Sequence, residues 1–124
     1  MDKKTILIVD DNADTRLVLS ARLKAQHYHT VFAADALQAM SVALKERPDA
    51  ILLDLGLPGG NGLTVLQRLK ANVSLGCIPV IIVTAEDPLE AEARTIEAGA
   101  VAFLQKPVDH DKLMAAVQEA VGST

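Results

Sequence analysis

The sequence predicts an α/β domain: a parallel sheet with helices on both faces. Three observations carry that prediction. Short apolar runs alternate with stretches of helical spacing along the whole chain. The runs are continuously apolar rather than alternating with polar residues, as strands covered on both faces must be. Capping and breaking residues fall where the helices would begin and end.

The first strand is Ile6-Leu7-Ile8-Val9, and Leu19 and Leu23 behind it lie one helical turn apart. Thr30-Val31-Phe32-Ala33 is the second strand. A helix follows, with Asp35 as N-cap and Leu37, Met40 and Leu44 at helical spacing, and Pro48 stops it. Ala50-Ile51-Leu52-Leu53 forms the third strand, and Asn61 suits the N-cap of the third helix. The fourth strand is Val80-Ile81-Ile82-Val83. Its helix is marked by Asp87 as cap, Pro88 at the first helical position, Leu89, Ala93 and Ile96 in a stripe, and Gly99 at the end. Val101-Ala102-Phe103-Leu104 completes the sheet, and Asp109 caps a last helix carrying Leu113, Val117 and Val121. Five βα units thus account for residues 1–124 as one domain, with right-handed crossovers expected.

Composition narrows the function. The chain has 124 residues, 12 Lys plus Arg against 16 Asp plus Glu, and a net charge of −4. Half of it is apolar and 2% aromatic, which excludes disorder and disfavours a nucleic-acid surface, since that needs basic patches or stacking rings. No apolar run reaches the roughly 18 residues of a membrane span. Thr5 to Val9 is too short for a signal-peptide core. A single cysteine, Cys77, forms no internal disulfide, which fits a reducing, cytoplasmic setting; it is read as a small loop or half-buried residue. His27 and His29 flank Tyr28 at a turn with no further metal ligands, and Met40 and Met114 fall at core spacing.

The functional signal lies where the strands end. The first ends in Asp10-Asp11, the third in Asp54 and the fourth in Thr84, and Lys106 closely follows the fifth. The second ends in Ala33-Ala34 and contributes nothing, as an edge strand would. In an open α/β sheet the C-terminal strand ends share one crevice. Three carboxylates crowded there repel unless a cation joins them. An all-oxygen set selects a hard ion, and Mg²⁺ commonly takes one or two carboxylates while keeping waters. Thr84 and Lys106 suit a phosphoryl group, and a carboxylate beside such a metal can attack phosphorus. The chemistry implied is phosphoryl transfer onto an aspartate.

Asp10-Asp11, Asp54 within Leu52-Leu53-Asp54-Leu55-Gly56-Leu57-Pro58, Gly62, Thr84-Ala85 and Lys106-Pro107 together resemble the receiver domain of two-component response regulators. The resemblance covers essentially the whole chain. It implies a flavodoxin-like, doubly wound five-stranded sheet of strand order 2-1-3-4-5 with five helices. It implies Asp54 as phosphoacceptor, attacking the phosphohistidine of a sensor histidine kinase or phosphotransfer protein. Asp11 would ligate Mg²⁺ (or Mn²⁺) directly, Asp10 largely through water, with Asp54 and the Gly56 carbonyl completing the protein ligands. Thr84 would be the switch hydroxyl, Ala85 a backbone phosphate contact, Lys106 the phosphate-pairing lysine, and Lys106-Pro107 a cis bond. Phe103 would be the switch aromatic, although core packing explains it equally well.

Leu57, Asn61 and Phe103 stand where Met, Asp and Tyr are frequent in that family. Gly56 and Glu86 flank the acceptor and the switch hydroxyl, so Gly56→Asn or Glu86→Ala should change the phosphoryl half-life without preventing phosphorylation. Taken singly, Asp10-Asp11 reads as a helix cap, Asp54 as a loop start, Thr84 as a strand end and Lys106 as a solvated lysine. Four such coincidences at one sheet edge are another matter. A haloacid-dehalogenase-like phosphatase would place Asp-x-Asp after its first strand and needs room for a cap domain. A flavodoxin-like FMN site would be repelled by Asp10-Asp11. A receiver that has lost phosphorylation would lack part of the set.

The resemblance therefore implies a signalling module whose only catalysis is its own phosphorylation and dephosphorylation. Its readout face would be helix four, strand five and helix five, including Glu90, Glu92, Arg94, Glu97, His110 and Lys112. An attached output domain or separate target would read that face, and the chain itself would be a monomer or a phosphorylation-dependent homodimer. No direct nucleic-acid or membrane binding is expected.

Overall fold

The computed structural model describes residues 3–58 and 62–122. The elements run β1 (Thr5–Val9), α1 (Ala13–Ala25), β2 (His29–Ala33), α2 (Ala36–Glu46), β3 (Ala50–Leu53) and α3 (Gly62–Ala71). They continue with β4 (Val80–Thr84), α4 (Pro88–Glu97), β5 (Ala102–Gln105) and α5 (His110–Val121). All strands are parallel, in the order β2-β1-β3-β4-β5. The expected doubly wound sheet is present, with β2 at an edge.

Alternate strand residues point to opposite faces. Leu7, Val9, Ile51, Leu53, Val80 and Ile82 pack against α2, α3 and α4 through Ala39, Ala43, Val65, Leu66, Leu69 and Ala91. Ile6, Ile8, Leu52, Ile81 and Val83 pack against α1 and α5 through Leu19, Leu23, Leu113, Met114 and Val117. Every residue of β1, β3 and β4 except Thr5 is buried, which explains why these strands read as unbroken apolar runs.

Several helix boundaries follow the sequence reading. Asp35, Asp87 and Asp109 cap α2, α4 and α5 by accepting from Gln38, Leu89 and Lys112 backbone N–H groups. Pro88 opens α4, and Gly99 follows its end at φ 111°, a conformation that glycine adopts without strain. Ahead of Pro48, Arg47 ends α2 in the left-handed region. Asn61 lies outside the described residues. The α1 cap is Asn12, accepting from Thr15 N.

Two helices face differently from the expected pattern. In α2, Leu37 is 82% exposed and Leu44 is exposed, while Ala39 and Ala43 pack on the sheet. In α4, Leu89 is 95% exposed and Ala93 and Ile96 are exposed, while Ala91 and Thr95 are buried. Small residues take the positions against the sheet, and Leu37, Leu44, Leu89 and Ile96 are left outside, while Met40 packs half-buried against the core as expected. Strand five begins one residue later than expected because Val101 belongs to the exposed turn. Of the two readings for Cys77, the loop one holds: it is an exposed residue in the turn before β4.

Candidate functional site

Strand register brings the site together. Val9 pairs with Leu53, so Asp10 and Asp54 leave adjacent strands side by side, tied by the Asp54 N–H to the Val9 carbonyl at 3.0 Å. Thr84 pairs with Gln105, and the Lys106 N–H donates to the Thr84 carbonyl at 2.8 Å. Between β1 and β3 the chain order reverses, because β1 leads outward to β2 while β3 lies on its other side. That is the switch point where open α/β sheets bind ligands.

Asp10 and Asp54 are only 2% and 8% exposed, and Thr84 is 1% exposed. The Lys106 ammonium donates to Asp10 Oδ2 at 2.7 Å and to Asp54 Oδ2 at 3.0 Å. Burial alone would lower the pKa of Lys106, but the hydrogen bonds and charges of Asp10 and Asp54 outweigh it and raise it above the ordinary 10.5. The remaining carboxylate oxygens are held by backbone: Asp10 Oδ1 accepts from Asn12 N at 2.9 Å, and Asp54 Oδ1 from Gly56 N at 3.1 Å. Both carboxylates are thus fixed in orientation before any ligand arrives.

Asp11 is exposed and completes an acidic cluster: one carboxylate oxygen from each of Asp10, Asp11 and Asp54 lies within 4.8 Å of the others. Three negative charges face one ammonium, leaving a deficit of two. An all-oxygen donor set with that deficit fits a hard divalent cation. A Cβ at Gly56 would lie 3.8 Å from Asp54 Oδ1, so the absent side chain leaves that side of the acceptor open. A Cβ at Gly62 would fall 2.3 Å from the Asp54 carbonyl oxygen and 2.6 Å from Leu55 Cα. Glycine is therefore required there for α3 to start directly behind the acceptor.

The expected site residues Asp10, Asp11, Asp54, Thr84 and Lys106 gather at one mouth. Ala85 is exposed just beyond Thr84, whose hydroxyl accepts from Glu86 N at 3.4 Å. Lys106-Pro107 is cis. Phe103 is half-buried against the α2–α3–α4 side of the core. Sequence reasoning missed two arginines. Arg16 donates to the Asp10 carbonyl at 2.7 Å, and Arg22 to the Val108 carbonyl at 3.2 Å, tying α1 to the β5–α5 loop. Their partners are main-chain oxygens, which leave no mark in a residue pattern.

A doubly wound sheet with three convergent carboxylates and a lysine at its switch point defines an α/β module with an acidic, lysine-bridged site. Comparison with known proteins makes this specific. The family model of the response regulator receiver domain matches residues 6–118, and the chain belongs to that family. It is 40% identical over 119 residues to sporulation initiation phosphotransferase F of Bacillus subtilis, covering 96% of this chain and 94% of that one. It is 41% identical over 114 residues to the response regulator PleD of Caulobacter vibrioides, covering 91% of this chain but 25% of the longer protein. Among solved structures, the receiver domain of sensor histidine kinase PA1611 from Pseudomonas aeruginosa superposes with a TM-score of 0.88 at 31% identity. The match covers 98% of this chain and 100% of that one, which holds a magnesium ion in its active site cleft. Among the described residues no helix is long and apolar enough to cross a membrane.

Proposed function

We propose that this receiver domain accepts a phosphoryl group on Asp54 from the phosphohistidine of a sensor histidine kinase or phosphotransfer protein, in the cytoplasm and with Mg²⁺ as cofactor. The observation that carries the reading is the Lys106 ammonium bridging two buried carboxylates, with a third beside them. Asp10, Asp11, Asp54 and the Gly56 carbonyl would hold the Mg²⁺, or Mn²⁺ in its place, with Asp10 acting largely through water. Bound there, the cation would supply neutralisation of the cluster and Lewis-acid polarisation of the phosphoryl oxygens.

Asp54 presents an oriented carboxylate. One of its oxygens attacks phosphorus as the donor's N–P bond breaks, and the imidazole departs with the bonding pair, giving an aspartyl phosphate. Lys106, already 3.0 Å from Asp54 Oδ2, pairs with the new anionic oxygens. The Thr84 hydroxyl and Ala85 N–H bind the phosphoryl from the neighbouring strand end. The added charge, nearly −2, favours whichever loop arrangement brings Thr84 closest, with Phe103 following inward. The domain's catalysis is confined to its own phosphorylation and dephosphorylation.

The readout face is α4, β5 and α5. Glu90, Glu92, Arg94, Glu97, His110 and Lys112 are exposed there, and Leu89 and Ile96 stand out from α4 as apolar anchors. An output domain or target protein reads that face. The phosphodonor approaches from the other side of Lys106. A groove of about 350 Å³ there, lined by Val18, Leu19, Arg22, Lys106, Pro107 and Val108, adjoins the site.

The test is incubation of the chain with acetyl phosphate and Mg²⁺, read by intact mass. Wild type should gain one phosphoryl group, and Asp54→Ala none. A gain that persists in Asp54→Ala, or that ignores chelation of Mg²⁺, refutes the proposal.

A further inference from the structure

Thr84 and α4 are joined by a short polar chain. At one end the Glu86 N–H donates to the Thr84 hydroxyl at 3.4 Å. At the other the Glu86 carboxylate meets the Arg94 guanidinium at 3.9 Å, with both side chains about half exposed. Glu86 and Arg94 also close a cavity of about 130 Å³ whose other walls are Leu55, directly after Asp54, and Leu63 on α3. Arg94 lies in the second half of α4, a helix that buries only Ala91 and Thr95 against the sheet. With so little side-chain volume anchoring α4, a tie on its surface carries weight in fixing where the β4–α4 loop rests.

From this geometry we infer that Glu86 and Arg94 are a positioning pair: they hold the loop in its resting arrangement and so oppose the movement of Thr84 toward a phosphoryl group on Asp54. The inference rests on the phosphoacceptor reading and adds a regulatory pair to it. Thr84 cannot swing toward Asp54 without stretching its bond to Glu86 N, and the Glu86 side chain is anchored through Arg94. A phosphoryl at Asp54 works against this restraint, since it repels Glu86 and attracts Arg94 and so pulls the pair apart. The pair therefore resists the switch at rest and yields when the charge arrives.

Breaking the pair should favour the phosphoryl-bound state. Beryllium fluoride with Mg²⁺, a phosphoryl mimic that adds to a carboxylate, is titrated into the full chain by calorimetry. Glu86→Gln and Arg94→Gln should each bind it more tightly by roughly 1.4- to 5-fold, the range that exposed ion pairs support. The double variant should gain no more than either single one, because the two residues act as a unit. Arg94→Lys should keep the wild-type affinity. At about 0.5 M NaCl, where charge interactions are screened within a few ångströms, the difference should vanish. Unchanged or weakened binding in the single variants overturns the inference, as do additive effects in the double one. If the folded wild type fails to bind beryllium fluoride, the phosphoacceptor reading falls and this inference with it. Binding without a mutational response removes the positioning pair alone.

Discussion

Asp11 should be a liability to the metal-free fold and a requirement for the metal-bound one. It is exposed, and among the described residues no hydrogen bond or ion pair holds it, yet it shares a 4.8 Å cluster with the buried Asp10 and Asp54. Two unit charges at that outer limit repel by about 0.9 kcal/mol in water and about 3.5 kcal/mol at an effective dielectric of about 20. Exposure favours the lower figure. Lys106 offsets part of the repulsion from the two neighbours, leaving a net of about 1 kcal/mol. Asp11→Asn should therefore raise the melting temperature in EDTA by roughly 3–5 °C. Wild type should then gain stability from Mg²⁺, by about 1.4 kcal/mol at tenfold excess over its Kd, and Asp11→Asn should gain almost none. The assay is thermal unfolding followed by circular dichroism, in EDTA and in MgCl₂. A variant less stable than wild type in EDTA, or one that keeps the full response to Mg²⁺, refutes the reasoning.

Other consequences follow from the same geometry. Lys106→Met removes the cation that competes for the carboxylates, so Mg²⁺ should bind more tightly by calorimetry while the aspartyl phosphate, having lost its partner, accumulates less. The pKa of Lys106 is raised on folding, so its stabilising contribution is complete below the ordinary lysine value of 10.5 and fades as pH rises through the higher folded value. The stability gap between wild type and Lys106→Met, measured by urea unfolding, should accordingly narrow only at strongly alkaline pH. Gly62→Ala places a methyl against the main chain of Asp54 and Leu55 and should cost about 1–3 kcal/mol, or more, in urea unfolding, with phosphorylation impaired. Gly56→Leu should instead fold normally, because its Cβ meets Asp54 Oδ1 at an ordinary 3.8 Å. By covering the open side of the acceptor it should lengthen the phosphoryl half-life severalfold.

The strand ends were legible because burial on both faces makes β1, β3 and β4 unbroken apolar runs, so the first polar residue after each stands out. Asp10, Asp54 and Thr84 were found that way, and their side-by-side placement required only the parallel order. The inward faces of α2 and α4 were not legible. Periodicity reveals an apolar stripe but not which stripe meets the sheet, and here Ala39, Ala43, Ala91 and Thr95 pack inside while Leu37, Leu89 and Ile96 face out. Hydropathy ranks the large residues first, whereas close helix–sheet approach selects the small ones. Arg22 was invisible for a different reason: its partner, the Val108 carbonyl, lies 86 positions away and every residue carries such a group.

The central claim is that a carboxylate, fixed by Lys106 and its own backbone within an acidic metal site, is the atom group that carries the signal. Borohydride reduction tests it most directly, because it converts an aspartyl phosphate to homoserine in place. Tandem mass spectrometry of the acetyl phosphate-treated chain should find homoserine at position 54 alone, and only when Mg²⁺ is present. Homoserine at any other aspartate, or at position 54 in excess EDTA, contradicts the account.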